Sequence, residues 1–144
     1  MSKVSIVFWS GTGNTAAMAQ SVADGVKDAG GEAELIPVGS ADIESLKSAK
    51  AFALGCPSMG AEQLEESEME PFMSDLDGAI GGKQIGLFGS YGWGNQEWMR
   101  DWESRISADG ATVVNGEGVT VLGAPTDDTI EALKDLGRTL ARNA

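Results

Sequence analysis

The stretch from Val4 to Thr15 constrains the fold more than any other part of the chain. Val4-Ser5-Ile6-Val7-Phe8-Trp9 is a nearly continuous apolar run, the pattern of a strand covered on both faces in a parallel sheet. It breaks into Ser10-Gly11-Thr12-Gly13-Asn14-Thr15, residues that are all Ser, Thr, Gly or Asn, and an Ala-rich stretch of helix formers follows. Strand, hydroxyl-and-glycine loop, helix start is an order that offers amides, side-chain donors and a helix N-terminus to one anion. Gly11 and Gly13 allow the backbone to close tightly around it.

What the loop lacks narrows the anion. No Lys or Arg occurs between Lys3 and Lys27, so the lysine of a nucleoside-triphosphate P-loop is missing. The dinucleotide pattern G-x-G-x-x-G fails as well, because Ala16 stands where its third glycine belongs. The loop is therefore read as a site for a single phosphate held by neutral donors. Taken alone, a polar strand-to-helix turn with no ligand remains the competing reading.

A length of 144 residues predicts one domain, 1–144, large enough to bury about 70% of its unfolded surface. The net charge of −12 makes nucleic acid and anionic membrane surfaces poor partners and favours positively charged protein patches. The single cysteine, Cys56, excludes an internal disulfide, and the absence of histidine excludes Ser–His or Cys–His nucleophiles and His-ligated metals. There is no run of 18 apolar residues and no basic start followed by an apolar segment. A cytoplasmic chain is expected, with no membrane span.

Along the chain, Ala17, Met18, Ser21, Val22 and Val26 form an approximate helical stripe over 16–28, stopped by Gly30-Gly31. Residues 32–38 alternate, Ala33 and Leu35 against Glu32 and Glu34, and predict a strand nearer an edge. Asp42 is placed to cap a short helix ending near Lys47. Residues 51–56 are apolar throughout, predicting a central strand that ends in the turn Pro57-Ser58-Met59-Gly60-Ala61-Glu62. A helix is expected over about 70–76, then a strand over 84–89 that opens into Ser90-Tyr91-Gly92-Trp93-Gly94-Asn95. A helix from Gln96 to Ala108 follows, then a strand over 112–122 broken at 115–118, and a last helix capped by Thr126 and reaching Arg142. Five alternations with short connections imply right-handed crossovers and a doubly wound α/β sheet with helices on both faces. Ligands of such sheets sit beyond the carboxyl ends of the strands, where the loops after the first, third and fourth strands converge.

On these residues the chain resembles the short-chain, clostridial-type flavodoxins. The matching segments are Trp9 to Thr15, Leu54 to Gly60, Leu64 to Ser67 with Glu70-Pro71-Phe72, and Leu87 to Gly94 with Glu97 to Arg100. The resemblance implies the strand order 2-1-3-4-5, one non-covalent FMN and a carrier of single electrons that works through a stabilised semiquinone. It also implies that Ser10, Thr12, Asn14 and Thr15 donate to the phosphate while Gly11 and Gly13 allow close approach. By the same resemblance Trp93, between Gly92 and Gly94, stacks on the outer face of the isoalloxazine ring, and the Gly92 and Trp93 amides face its pyrimidine edge. Met59 is the inner-face contact in the Pro57-Ser58-Met59 loop, and Glu62 accepts from the flavin N3–H. The Gly60–Ala61 peptide turns over on reduction, in a turn resembling type II whose third residue is Ala61. Gly123 stands where the family often has Asn, so a backbone contact is expected there. Ser90 and Tyr91 complete the expected site.

Trp9, Trp98 and Trp102 are read as packing residues and Cys56 as a small buried hydrophobe. The acidic run Glu62, Glu65, Glu66, Glu68, Glu70, Asp75 and Asp77 lies in a stretch, 51–82, free of Lys and Arg. It is expected to dock redox proteins with basic surfaces, the chain acting as a monomer. A reductase of the same fold, using a quinone or NAD(P)H, is the alternative. A receiver-type signalling module is excluded by Ser10 and Cys56-Pro57 at the strand ends where such modules need carboxylates.

Overall fold

The structure is a computed structural model that describes residues 3–11 and 13–144. Thr12, one of the expected phosphate donors, lies outside the described residues. The elements are β1 (Lys3–Phe8), α1 (Asn14–Asp28), β2 (Glu32–Pro37), α2 (Ile43–Ser48), β3 (Ala51–Gly55), α3 (Met69–Leu76), β4 (Gln84–Tyr91), α4 (Glu97–Ala108), β5 (Thr112–Val113), β6 (Val119–Leu122) and α5 (Asp127–Asn143). All pairs are parallel, in the order β2-β1-β3-β4, with β5 and β6 both on the outer side of β4. Counting β5 and β6 as one interrupted strand gives the expected order 2-1-3-4-5.

Side-chain alternation divides the core between the two faces. Phe52 and Leu54 of β3, with Val7, Ile85 and Leu87, pack against α2, α3 and α4 through Leu46, Met73, Trp98 and Trp102. Ala51 and Ala53, with Val4, Ile6 and Phe88, pack against α1 and α5 through Met18, Val22, Leu133 and Leu136. The small residues on the second face let its two helices press close. A Cβ on Gly25 would lie 1.9 Å from the Lys134 carbonyl oxygen, and one on Gly137 would lie 2.1 Å from that of Val22.

The expected caps are present. Asp42 accepts from the Glu44 amide at 3.1 Å and Thr126 Oγ1 from the Thr129 amide at 3.3 Å. Three details differ from the sequence reading. The buried stripe of α1 contains the expected Met18, Ser21, Val22 and Val26 and adds Ala19 and Ala23, while Ala17 faces solvent; α1 also begins two residues earlier than expected. Leu35 on the edge strand β2 is exposed instead of facing the core. Ser90 and Tyr91 belong to β4 instead of its loop, held there by pairing with Val121 and Leu122. The break expected in the fifth strand is present: 114–118 stand opposite only 86–87 of β4, and Asn115 (φ 65°) turns the extra residues outward.

Candidate flavin site at the carboxyl ends of the strands

The carboxyl ends of β1, β3, β4 and β6 surround a cleft of about 250 Å³ lined by Trp9, Gly11, Asn14, Pro57, Ser58, Met59, Ser90, Tyr91, Gly92 and Gly123. Nine of these were singled out in the sequence, so four segments distant along the chain meet where the topology places a ligand. Trp9 was not among the expected site residues. It ends β1 half-buried, one side packed on the core and its ring 3.0 Å from where a Cβ on Gly11 would lie. An apolar run that ends in Trp reads as core, and only the strand order shows that this end opens on the cleft.

The loop after β1 closes one end of the cleft. Ser10 Oγ accepts from the amides of Gly13 (3.1 Å) and Ala16 (3.3 Å). The Ala17 amide returns to the Gly13 carbonyl, and Gly13 takes a left-handed backbone (φ 98°) at the N-cap of α1. Among the described residues this leaves the amides of Asn14 and Thr15 as the open donors of the helix start. Thr15 is 1% exposed, and its hydroxyl oxygen is buried with no hydrogen-bond partner among the described residues. A buried hydroxyl without a partner is costly unless something outside the protein engages it. An arrangement of this kind at the positive end of a helix suits an anionic acceptor.

The opposite wall is braced from below. Cys56 is fully buried, and burial pushes its thiol up to about 12, so it is not a reactive group at neutral pH. Its carbonyl accepts from Trp98 Nε1 at 3.0 Å, and the Trp98 ring meets Tyr91 at a centroid distance of 5.7 Å. Trp98 and Trp102 are both buried in the core, as expected for packing residues. Ser90 Oγ donates to the Gly123 carbonyl at 2.5 Å, and the Gly123 amide donates to that of Tyr91, which fixes Gly123 (φ 75°) at the cleft edge.

The loop after β3 is a tight hairpin. Met59 and Gln63 exchange both backbone hydrogen bonds at 2.9 Å, enclosing Gly60, Ala61 and Glu62. The left-handed residues of this turn are Gly60 (φ 52°) and Glu62 (φ 55°). The Glu62 side chain is directed to α4. Its Oε1 accepts from the Glu97 amide at 2.9 Å and takes the N-terminal capping role that Gln96 leaves vacant, while Oε2 has no partner among the described residues. Trp93 stands in the loop beyond β4, 62% exposed, and Leu122 at the end of β6 is equally exposed. Two large apolar side chains left in solvent beside one cleft are unusual for a folded chain.

The acidic run separates into different jobs. Glu65 is buried and begins α3: its carboxylate accepts from the amides of Ser67 (2.8 Å), Glu68 (2.7 Å) and Met69 (3.0 Å) and from the Ser67 hydroxyl. Burial alone would raise its pKa, but the hydrogen bonds from Ser67, Met69 and Glu68 outweigh that and hold it at about 2. Glu70 and Asp77 flank Arg105, at 2.8 and 2.6 Å. Hydrogen bonding to Arg105 is the main cause that lowers the Asp77 pKa. Glu62, Glu66 and Asp101 line a groove of about 310 Å³ beside the hairpin, together with Glu70, Arg105, Leu64 and the two tryptophans.

Comparison with known proteins agrees with this geometry. The flavodoxin family model matches residues 6–136. A flavodoxin from Megasphaera elsdenii is 44% identical over 139 residues, covering 96% of this chain and 98% of the relative. One from Clostridium beijerinckii is 48% identical over 109 residues, 76% of this chain and 79% of the relative. The solution structure of two-electron reduced M. elsdenii flavodoxin superposes with a TM-score of 0.87 at 44% identity, covering 96% of this chain and 98% of that one. The chain belongs to the flavodoxin family, the FMN-binding proteins that carry electrons between redox partners and are not themselves enzymes.

Proposed function

We propose that the chain, as a single domain and a cytoplasmic monomer, holds one FMN in the cleft between Trp9, Met59 and Tyr91, its phosphate at the N-terminus of α1. The observation that carries this is the buried Thr15 hydroxyl, which has no partner among the described residues, beside the amides of Asn14 and Thr15, open among those same residues. Ser10, Gly11, Thr12, Gly13, Asn14 and Thr15 enclose the phosphate. Pro57, Ser58, Met59, Gly60, Ala61 and Glu62 form one wall, and Ser90, Tyr91, Gly92, Trp93, Gly94 and Gly123 the other. Bound FMN supplies one-electron chemistry; the protein binds it, orients it and limits water around it.

The exposure of Trp93 supports its role as the outer stacking residue, since a flavin ring is the apolar surface that would cover it. Met59 lines the facing wall. The exposed carboxylates Glu66 and Asp101, in the groove beside the hairpin, support a docking surface for basic redox partners there. The reductase alternative is not favoured by the family to which the chain belongs.

Calorimetric titration of apoprotein with FMN, riboflavin and FAD tests this reading. FMN is expected to bind most tightly, because the phosphate subsite suits one terminal phosphate. Riboflavin binding as tightly as FMN would overturn it.

A further inference from the structure

Gln96 lies between the flavin loop and α4 and breaks a local rule: it adopts a left-handed backbone (φ 67°, ψ 25°) that glycine or asparagine takes at less cost. Its side chain does not cap α4, where Glu62 serves instead. Both ends of its amide are used elsewhere. Thr120 Oγ1 on β6 donates to Gln96 Oε1 at 2.6 Å, and Gln96 Nε2 donates to Tyr91 Oη at 3.4 Å. A strained residue persists where the surrounding structure over-determines it, and here the over-determination points at the cleft.

We propose that Gln96 is a positioning residue for flavin binding: its amide, clamped between Thr120 and Tyr91, fixes the Tyr91 ring and the two ends of the loop 92–95 that carries Trp93. Three observations meet in this. Tyr91 lines the cleft, and its ring is held from below by Trp98. Loop 92–95 is exposed throughout, so its own side chains give it little support. Thr120 is anchored in β6, which pairs with β4 up to Tyr91 and Leu122, so the clamp ties the loop to the rigid sheet. Receiving the Gln96 proton also leaves the Tyr91 hydroxyl hydrogen free to donate. The left-handed backbone at Gln96 is thus retained for the reach of its side chain.

The inference rests on the cleft being the FMN site, and the test separates the two. Apoproteins of the wild type and of Gln96→Gly, Thr120→Val and Thr120→Ser are titrated with FMN, and their unfolding in urea is measured without FMN. Gln96→Gly keeps the backbone conformation and removes the clamp, so it should raise the FMN dissociation constant about five- to twenty-fold while apoprotein stability holds or rises. Thr120→Val should weaken FMN binding to a similar extent, and Thr120→Ser, which keeps the hydroxyl, should restore it. Residual emission of bound flavin should rise in Gln96→Gly and Thr120→Val as Trp93 loosens. Gln96→Gly and Thr120→Val within twofold of wild type would overturn the clamp while leaving the cleft intact. So would weakened binding matched by equal loss in Thr120→Ser. Failure of the wild type to bind FMN would instead overturn the cleft reading.

Discussion

Trp98 Nε1 donates to the Cys56 carbonyl across 42 residues of sequence, and this 3.0 Å bond fastens α4 beneath the loop that ends β3. Both partners are buried, so this bond satisfies an indole N–H that would otherwise be costly to bury. It sets the spacing between two walls of the cleft: Cys56 leads into Pro57 on one side, and the Trp98 ring supports Tyr91 on the other.

Replacing Trp98 by Phe keeps an aromatic ring but leaves the Cys56 carbonyl without its side-chain donor in a dry site. The expected loss of stability is about 1–3 kcal/mol, accompanied by weaker FMN binding. Urea unfolding of apoprotein and holoprotein measures both; unchanged midpoints would show the bond to be incidental.

Thr15 offers a substitution whose two effects have opposite signs. Thr15→Val removes a buried hydroxyl that has no partner among the described residues, so apoprotein stability should hold or rise slightly. FMN affinity should fall about 10- to 150-fold, from the loss of a charge-assisted hydrogen bond of about 1.5–3 kcal/mol. Riboflavin, which has no phosphate, should bind the variant and the wild type equally. Equal losses for the two ligands would remove Thr15 from the phosphate site.

Trp93→Ala should leave the apoprotein as stable as wild type, because the side chain is 62% exposed. Loss of a ring-sized apolar contact of about 1–3 kcal/mol should raise the FMN dissociation constant about 5- to 150-fold. Unaltered affinity and flavin fluorescence would reassign the stacking role to Tyr91.

The Glu65 carboxylate makes stability depend on acid pH. Its folded pKa, about 2, lies below the ordinary value of 4.5, so its contribution is fully present above 4.5 and is lost as pH falls from there toward 2. Glu65→Gln removes that dependence together with charge-assisted bonds to the start of α3, costing about 1.5–3 kcal/mol at neutral pH. Unfolding midpoints between pH 2.5 and 7 decide it: a variant with the same acid slope as wild type would rule the group out.

Docking should follow Glu66 and Asp101, not Glu65. Electron transfer to a basic acceptor protein should slow steeply as salt rises, since exposed charges are screened beyond about 8–10 Å near physiological ionic strength. Changing Glu66 to Gln together with Asp101 to Asn should flatten that dependence, whereas Glu65→Gln should not. Rates that ignore salt in the wild type would leave the groove without a docking role.

The order of strands and helices, the central position of 51–55 and the caps at Asp42 and Thr126 were all legible in sequence, because each depends on residues within a few positions of one another. So were the loops that follow β1, β3 and β4, rich in Gly and polar residues, although Asn14 and Thr15 belong to α1 and Ser90 and Tyr91 to β4. The tertiary structure decided which side chains those loops turn toward the cleft. Trp9 ends a run that reads as core, yet the end of β1 opens on a ligand site only because β3 and β4 lie on one side of it. Glu62 and Glu65 look alike in an acidic run, but one caps α4 from 35 residues away and the other is buried at the start of α3. Gln96 carries no sequence signal, since its partners are a tyrosine five residues before it and a threonine 24 residues after it. Patterning encodes the faces of each element, because burial repeats with the period of the helix or strand. A single long-range hydrogen bond has no period, so its partner is fixed only when packing brings the two elements together.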